Sequence, residues 1–415
     1  MISHQHFDII IIGGGASGFF TAINTALHRK NISILILEAS KNVLQKVKIS
    51  GGGRCNVTHD VADPRLLIKN YPRGQKELLG PLYGFGTQDT KQWFEDRGVV
   101  LKTEADNRVF PVSDDSKSIV NTLINSANDL KIKIEISKKV THFKVDASTN
   151  KWNIYTKNHV YTSEKLVLAT GCTPKIIESL DRLQINCIPL VPSLFTFVCK
   201  DKRIQDLAGI STKVTLSCKE VSNFMSVGDL LITHKGFSGP SVLKLSAFCA
   251  RALHKSDYQF DIKINWLEEM TKNDCLEVLK NAKSKHSKKL VINTPLLELP
   301  KRLWNNLIQE IGVQQTQWAN ISNKQLTTLQ EELTNSCYKI CGKNTFKDEF
   351  VTAGGVDLKE IDFKTFASKK YPNLHIVGEL LNIDGITGGF NFQNAWTSGY
   401  LAAMALSEEN YSSNK

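Results

Sequence analysis

Three glycines and one glutamate near the start of the chain have the types and spacing that bind a dinucleotide. Gly13, Gly15 and Gly18 fit the pattern GxGxxG, and Glu38 follows Gly18 by 20 residues. In this pattern the glycines allow a tight turn, close approach of a pyrophosphate to the backbone, and close packing of a helix on a strand. The carboxylate accepts hydrogen bonds from ribose hydroxyls. We therefore predict a dinucleotide site.

The elements around these residues are those the site requires. Residues 7–12 are apolar and β-branched, which is typical of a buried parallel strand. Residues 19–27 favour a helix, and residues 34–37 form a second strand that ends at Glu38. The free N–H groups at the start of the helix would face the phosphates. The pattern occurs once, so we predict one dinucleotide domain, whose ligand is NAD or FAD.

The end of the chain favours FAD. A strand at 165–168 runs into Ala169-Thr170-Gly171, and a strand at 374–377 ends at Gly378-Glu379. The glycine pair 388–389 precedes a helix with a face of small residues. In a two-part flavoprotein domain, such a late helix returns to the cofactor, and its N-terminus faces the flavin pyrimidine. Asn391 and Gln393 are expected to bond to the ring edge.

Three further residues are candidates for chemistry, each with a second interpretation. Arg54 and Cys55 follow three glycines in the loop ISGGGRCNVT at 49–58. Arg54 binds an anionic substrate or the flavin, or it forms an ion pair that holds the loop. Cys55 is a redox thiol or a packed loop residue. His234 follows a strand and transfers protons near a substrate, or it is a hinge residue bonded to backbone. We take His234 and Arg54 as catalytic candidates.

Seven stretches together resemble the BaiN-like (YhiN-like) family of FAD-binding flavoproteins, also labelled NAD(P)/FAD-dependent oxidoreductases or the aminoacetone oxidase family. The resemblance covers residues 8 to about 406 and implies an α/β fold: a discontinuous, glutathione-reductase-like FAD-binding Rossmann domain with an inserted domain of β-barrel and helical character. It also implies that the glycine loop lies on the FAD, with Arg54 close to the flavin. The stretches are GGGASG, KISGGGRCNVT, VFPVSDDSKSIV, LVLATG, GDLLITHKGFSGPSVLKLS, VTAGGVDLKEID and GELLNIDGITGGFNFQNAWTSGYLAA.

The chain departs from the family pattern after Gly171. Family members continue with a proline- and glycine-rich stretch, whereas Cys172-Thr173-Pro174-Lys175 runs directly into a helical pattern here. We expect a deleted loop and a more open flavin. The resemblance and the motifs together imply cofactor contacts from Gly13, Gly15, Ala16, Ser17, Gly18, Glu38, Ala39, Lys46, Gly52, Gly53, Arg54, Cys55, Asn56, Val140, Ala169, Thr170, Gly171, Gly378, Glu379, Asp384, Gly388, Gly389, Phe390, Asn391 and Gln393.

The domain boundaries follow from the pattern. Residues 1–190 and 345–415 are expected to form the FAD-binding domain, and residues 191–344 the inserted domain. Within the insertion, short strands are predicted at 194–198, 213–217, 230–233 and 258–265, and helices at 267–282, 299–311 and 323–338. The apolar spacing there indicates packing.

Composition narrows the function classes. Nine scattered cysteines without a CxxC pair indicate reduced thiols in a cytoplasmic protein, and the histidines and cysteines show no metal-ligand spacing. No apolar run is long enough to span a membrane. The formal net charge is +11, with a local cluster at Lys283, Lys285, Lys288 and Lys289. No stable nucleic-acid partner is expected.

The resulting hypothesis is an FAD-dependent oxidoreductase. Noncovalent FAD would move a hydride from NAD(P)H, acting as a transient donor, or from a small organic substrate, to an unsaturated organic substrate or O2. One alternative is a tRNA-modifying flavoprotein, which the basic cluster would serve. Another is a flavin-bearing sensor with little turnover. The small-molecule substrate stays open at this point.

Overall fold

The computed structural model describes residues 3–218, 224–344 and 351–408. Their contacts divide into two units. The Rossmann unit comprises Met1–Leu190 and Thr352–Lys415, and the inserted unit comprises Val191–Val351. Among the described helices, none combines the length and apolar character that crossing a lipid bilayer requires.

The strands of the described residues follow in chain order. They are β1 Ser3–Ile12, β2 Ile34–Leu37, β3 Thr58–His59, β4 Leu101–Thr103, β5 Arg108–Pro111, β6 Lys133–Glu135, β7 Val140–Val145, β8 Trp152–Thr156, β9 His159–Leu168, β10 Cys187–Ser193, β11 Thr196–Cys199, β12 Ser211–Cys218, β13 Met225–Thr233, β14 Gly236–Ser238, β15 Phe260–Asn265, β16 Ser336–Asn344, β17 Val351–Val356, β18 Ile361–Asp362, β19 Ala367–Ser368 and β20 Leu374–Ile376.

The helices alternate with these strands. They are α1 Ala16–His28, α2 Gln45–Gly53, α3 Pro64–Leu67, α4 Gln75–Gly84, α5 Thr87–Glu95, α6 Lys117–Asp129, α7 Pro174–Arg182, α8 Pro240–Phe248, α9 Ala250–Lys255, α10 Lys272–Lys285, α11 Lys301–Glu310, α12 Asn323–Asn335 and α13 Phe390–Ser407. Short 3-10 helices cover Ile68–Asn70, Lys202–Ile204, Val291–Asn293, Trp318–Asn320, Leu358–Glu360 and Gly378–Leu380.

The main sheet of the Rossmann unit has the order β18-β19-β20-β9-β1-β2-β6, with β7 and β8 extending from β9. β1 pairs in parallel with both β2 and β9, and β20 pairs in parallel with β9. The predicted strands are buried over Ile9–Ile12 and Ile34–Leu37, because a parallel sheet is covered on both faces. This order brings the carboxyl ends of β1, β2, β9 and β20 to one edge of the sheet.

Helices α1 and α13 pack closely against each other. A Cβ at Gly399 would lie 3.0 Å from the carbonyl oxygen of Ser17, so the glycine permits this approach. The N-terminal helix and the last described helix therefore share one side of the same core.

The inserted unit contains a closed barrel of six antiparallel strands in the order β11-β14-β13-β12-β15-β16. The predicted barrel is therefore confirmed. Helices α10, α11 and α12 pack around a separate core. The helix predicted over 323–338 was wrong at its end, since α12 stops at Asn335 and β16 begins at Ser336. From Ser336 to Cys341 burial alternates with a period of two, which is typical of a strand.

Candidate functional site

The glycines in the turn between β1 and α1 have two different structural roles. A Cβ at Gly13 would lie 2.4 Å from the carbonyl oxygen of Ala169, and a Cβ at Gly18 would lie 2.1 Å from that of Gly13. Both glycines are therefore required for backbone packing. A Cβ at Gly15 would meet no atom within 4 Å. Gly15 thus faces free space at the start of α1, where Ala16, Ser17 and Gly18 bring no acidic side chain.

Glu38 lies beside this turn, at the end of β2. Its carboxylate accepts a hydrogen bond of 2.8 Å from the Gly14 N–H and another of 2.8 Å from the Ser40 N–H. The carbonyl oxygen of Glu38 accepts from the N–H of Lys138 at 2.8 Å, which brings the segment before Val140 alongside Ala39. Val140 itself is buried at the start of β7. The carboxylate is therefore fixed in place and keeps further acceptor sites.

The glycine loop adopts a conformation that side chains disfavour. Gly51, Gly52 and Gly53 follow one another with φ of 56°, 68° and 86°, in the left-handed region that glycine populates freely. A Cβ at Gly52 or Gly53 would meet no atom within 4 Å. The N–H of Ser116 holds the carbonyl oxygen of Gly53 at 2.8 Å. This second stretch of backbone is therefore open to close approach by a ligand.

Arg54 follows this loop and is engaged by protein groups. Its Nη1 donates to Oε1 of Glu104 at 2.6 Å and lies 3.5 Å from Oδ1 of Asp114. The guanidinium carbon lies 4.0 Å from the centre of the Phe110 ring. These contacts are the loop-holding ion pair that was one of the two interpretations. A contact between Arg54 and a cofactor stays a prediction.

Cys55 is fully buried in a left-handed backbone conformation, with φ of 61°. Burial raises the pKa of its thiol to about 12, although a hydrogen bond with Ser50 opposes this effect. The sulfur therefore remains a protonated thiol near neutral pH. This state favours the interpretation of Cys55 as a packed loop residue, because the thiolate is the reactive form. Asn56 beside it is also buried.

The turn after β20 meets the N-terminal motif and α2. A Cβ at Gly378 would lie 2.6 Å from Oγ of Ser17. Glu379 forms an ion pair with Lys46, which lies 333 residues earlier in the chain. Partial desolvation acts to lower the pKa of Lys46, whose side chain stays 66% exposed, but the ion pair with Glu379 outweighs this effect and raises the pKa overall. The turn after β20, the start of α1 and the start of α2 are distant in sequence but therefore lie next to one another.

The predicted residues after β9 border the same turn. A Cβ at Gly171 would lie 3.6 Å from Oε2 of Glu379, and the Thr170 hydroxyl donates to the carbonyl oxygen of Gly171 at 2.8 Å. The thiol of Cys172 donates to the carbonyl oxygen of Glu379 at 3.1 Å. The short connection from Gly171 to α7 is thus tied to the turn after β20.

Asp384 has a partner that the sequence did not reveal. Its carboxylate is buried, with 1% of the side chain exposed, and forms a bidentate ion pair with Nε and Nη2 of Arg73. A Cβ at Gly74 would lie 2.6 Å from the Ile383 side chain, and Arg73 and Asp384 form an isolated antiparallel β-bridge, so the two segments lie side by side. Asp384 therefore anchors the segment that leads to Gly388. No local spacing links residues 73 and 384.

The start of α13 packs on β3. A Cβ at Gly389 would lie 2.5 Å from the carbonyl carbon of Thr58, so glycine is required there. The Nδ1 atom of His59 lies 3.1 Å from the carbonyl oxygen of Gly388, and its ring lies 4.6 Å from that of Phe390. Burial lowers the pKa of His59. Sequence reasoning missed His59, although it directly follows the loop motif.

The two amides predicted to face the flavin make internal hydrogen bonds. Asn391 accepts from the N–H of Gly385 at 2.8 Å and donates to its carbonyl oxygen at 3.0 Å. Gln393 accepts from the hydroxyls of Thr58 and Thr90 at 2.6 and 3.0 Å. Its amide donates to Thr397 at 3.0 Å, and it is fully buried. Both amides position the start of α13 here, and contact with a flavin stays a prediction.

His234 belongs to the inserted unit. It is exposed in the two-residue turn between β13 and β14, which Thr233 and Gly236 close as paired residues. The position is that of a hairpin tip, and a catalytic role for His234 stays a prediction.

The residues of the Rossmann unit fit FAD. Gly15 leaves room at the start of a helix that carries no acid in its first turn, which suits a pyrophosphate. Glu38 offers a fixed carboxylate for ribose hydroxyls. The open backbone at Gly52 and Gly53 provides a second surface without side chains. A group of dinucleotide size meets complementary chemistry at each of these points.

Comparisons with known proteins agree with this arrangement. The profile of a family described as "HI0933-like protein Rossmann domain" matches residues 7–405. The chain is 28% identical over 419 residues to a protein from Escherichia coli K12 named ribosomal RNA dihydrouridine synthase, covering 97% of this chain and 98% of that one. It is also 28% identical over 419 residues to a Clostridium scindens protein named 3-dehydro-bile acid delta(4,6)-reductase, covering 96% and 98%.

Solved structures share the fold at low identity. A 3-ketosteroid-delta4-(5alpha)-dehydrogenase from Rhodococcus jostii RHA1 superimposes with a TM-score of 0.53 at 13% identity, covering 98% of this chain and 97% of that one. A 3-ketosteroid delta1-dehydrogenase from Sterolibacterium denitrificans gives 0.51 at 10% identity, covering 97% and 99%. The predicted fold class is confirmed. The chain therefore belongs to the HI0933-like family of FAD-binding oxidoreductases with a Rossmann domain.

Proposed function

We propose that this protein is an FAD-dependent reductase that adds hydrogen across a carbon–carbon double bond conjugated to a carbonyl group. Its substrate in this proposal is uridine in ribosomal RNA. The observation that carries the proposal is the likeness along nearly the whole chain to proteins named ribosomal RNA dihydrouridine synthase, from Escherichia coli and Haemophilus influenzae. The second of these covers 98% of this chain and 100% of its own.

The names of the relatives describe one type of reaction. Dihydrouridine differs from uridine by two hydrogens across the ring double bond beside a carbonyl. A delta(4,6)-reductase acting on a 3-dehydro-bile acid also saturates a double bond conjugated to a ketone. In each case one carbon receives a hydride and its neighbour a proton. When bound, FAD would supply the hydride chemistry of this addition, with NAD(P)H as the proposed source of electrons.

The chain's own residues would bind and orient the cofactor. The backbone from Gly13 to Gly18 would hold the pyrophosphate at the start of α1, and Glu38 would hold the ribose. The glycines at 52–53 and 388–389 would let the cofactor approach the backbone closely. Asp384, fixed by Arg73, would keep the last of these glycine pairs in position.

Among side chains able to move a proton, His59 is the best placed. It borders Gly388 and is half-buried, and burial lowers its pKa, so the neutral imidazole predominates near neutral pH. The proton that completes the addition would come from an acid or from water. A cytoplasmic location agrees with this substrate and with nine free thiols.

The test uses ribosomal RNA directly. Purified FAD-loaded protein is incubated with unmodified ribosomal RNA and NADPH or NADH, and dihydrouridine is measured by mass spectrometry after nuclease digestion. We expect dihydrouridine with the wild type and none with Gly15→Val, which blocks the pyrophosphate. A wild type that forms no dihydrouridine with either donor would overturn the proposal.

A small conjugated ketone is the second candidate substrate, because the identity to the bile acid reductase is equal at 28%. The same assay with a 3-keto-4-ene steroid tests it. Fast reduction of the steroid together with intact uridine would move the assignment to this class.

A further inference from the structure

Two segments of the inserted unit lack acidic residues over twenty positions each. No Asp or Glu occurs between Glu277 and Glu298, or between Glu310 and Glu331. The first segment contains the end of α10 and the second the start of α12. The two acids that bound the second segment pair with lysines outside both segments, in Lys202–Glu310 and Lys272–Glu331.

The fold joins these two segments into one surface. Leu290 and Gln317 form an isolated β-bridge. The N–H groups of Trp318 and Ala319 donate to the carbonyl oxygens of Lys289 and Ser287 at 3.0 and 2.9 Å. Two stretches that are free of negative charge therefore lie side by side, so their lysines act on the same region of solvent.

Of the exposed lysines in the two segments, Lys285, Lys288, Lys289 and Lys324 lie within five residues of the bridged stretches 287–290 and 316–319, whereas Lys280 lies further back in α10. None of the four forms an ion pair with any residue that the structure describes. Lys283 belongs to the same sequence cluster but differs, because its Nζ donates to the carbonyl oxygen of Ile321 at 2.6 Å. We call the four free cations the lysine face.

Helix stabilisation does not account for the lysine face. A cation in the last turn of a helix interacts favourably with the helix dipole, and Lys285 has that position in α10. Lys288 and Lys289 lie beyond the end of α10, however, and Lys324 lies in the first turn of α12, where a cation is unfavourable. These charges are therefore available to a partner outside the chain.

We infer that the lysine face binds the phosphate backbone of the RNA substrate. The lysines stand among exposed neutral side chains, including Gln317, Asn320 and Asn323. Lysine, asparagine and glutamine are common donors to nucleic-acid phosphates, and such contacts position a protein without reading sequence. The inference rests on the proposed function and adds the surface by which the RNA is held.

The experiment compares two quadruple variants of the full-length, FAD-loaded protein. One replaces Lys285, Lys288, Lys289 and Lys324 with glutamine. The control replaces Lys30, Lys131, Lys157 and Lys364, which are also exposed and form no ion pair within the described residues, and so has the same net charge. Binding of in-vitro transcribed ribosomal RNA is measured between 50 and 200 mM salt.

We expect the slope of log affinity against log salt to be about 3 less steep in the lysine-face variant than in the wild type. Each of four lost phosphate contacts on single strands contributes about 0.7 to the steepness. Between 50 and 200 mM salt, the wild type should therefore lose about 50-fold more affinity than the lysine-face variant, so the gap between them narrows as salt rises. The control variant should keep the wild-type slope. Equal slopes for both variants, or no RNA binding by the wild type at 50 mM salt, would overturn the inference.

Two further measurements separate this inference from the proposed function. If the wild type forms dihydrouridine while the lysine-face variant binds RNA as tightly as the wild type, the inference fails and the proposed function stands. If RNA binding depends on the lysine face but no dihydrouridine forms, the proposed function fails alone. The wild type could also bind phosphatidylglycerol vesicles more tightly than RNA and lose this binding in the lysine-face variant. That result would make a membrane surface the partner of the lysine face and overturn the inference.

Discussion

Removing the carboxylate of Asp384 should destabilise the Rossmann unit strongly. In Asp384→Asn, the largely buried guanidinium of Arg73 loses the bidentate charge partner described above. Breaking a buried ion pair by removing one partner costs about 3–5 kcal/mol, because the remaining charge stays desolvated. Arg73 keeps 14% of its side chain exposed, so water compensates in part and we expect about 3 kcal/mol.

This cost translates into a measurable shift of the melting temperature. For a domain of this size, 1 kcal/mol corresponds to about 2–4 °C, so the FAD-saturated variant should melt about 6–12 °C lower than the wild type. Thermal unfolding followed by circular dichroism measures the shift. Because Asp384 fixes the segment before Gly388, FAD should also be released at a lower temperature than in the wild type.

Two controls separate charge burial from general damage. Lys102→Met removes an exposed ion pair with Asp114, and should cost at most about 1 kcal/mol. The double variant Arg73→Met with Asp384→Leu removes both charges and should recover much of the loss, since buried pairs can be replaced by apolar residues of similar volume. If Asp384→Asn melts within 2 °C of Lys102→Met, roughly the shift that 1 kcal/mol gives, the reasoning about the buried pair is refuted.

Four other predictions address the cofactor and the core. Gly15→Val should abolish FAD retention, whereas Gly80→Val, at a glycine of α4 that is equally open and has no positive φ, should retain it; equal flavin content after purification would contradict the nucleotide assignment. Arg54→Ala should weaken FAD binding about fivefold, the size of effect that one partly exposed ion pair gives; an unchanged affinity and flavin spectrum would restrict Arg54 to the loop. Burial lowers the pKa of His375 to about 4, against the effect of its hydrogen bond with Thr365. Below pH 6.5 the His375 side chain is protonated in the unfolded chain but not in the folded state, so the free energy of unfolding decreases as pH falls from 6.5 to 4, by about 2 kcal/mol at pH 5. Urea unfolding of the wild type and of His375→Asn at pH 7 and pH 5 should show a smaller decrease in the variant. Equal decreases would exclude this group as the cause. Under anaerobic conditions, NADPH or NADH should bleach the flavin absorbance near 450 nm (about where free oxidised flavin absorbs), and no bleaching by either would exclude a pyridine nucleotide as the direct donor.

The parts of the site that local spacing encodes could be predicted from the sequence. The turn at Gly13 to Gly18 and the acid at Glu38 depend on contacts within one strand–helix–strand segment, so a single pattern specifies them. The alternation of apolar and polar residues over 258–265 predicted the strand β15 for the same reason, whereas the barrel was implied by the family resemblance. A period of two or a fixed glycine spacing is a local property of the chain.

The parts that depend on distant partners could not be predicted. Arg73 carries no signal that points to Asp384, because the 311 residues between them show no linked pattern. The sequence left two interpretations of Arg54 open, and only the fold brings Glu104 and Asp114 to it. The same holds for Gln393. Its amide was predicted to bond to the flavin, and only the fold brings the hydroxyls of Thr58 and Thr90 to its oxygen. The sequence shows which side chains can form hydrogen bonds or ion pairs, and the tertiary structure determines which partners they have.

The pairing of β20 with β9 has a consequence for biosynthesis. The sheet places β20 beside β9 and β9 beside β1, so the first and last strands of this core are held together through a strand between them. During translation, the inserted unit emerges complete before Gly378 and Glu379 leave the ribosome, and domains generally fold as units in order of synthesis. The contacts of Ser17 with Gly378 and of Lys46 with Glu379 can therefore form only after more than 300 further residues have been synthesised. Cofactor loading should therefore follow the synthesis of Glu379, and nascent chains arrested before residue 378 should fold their barrel yet retain no FAD.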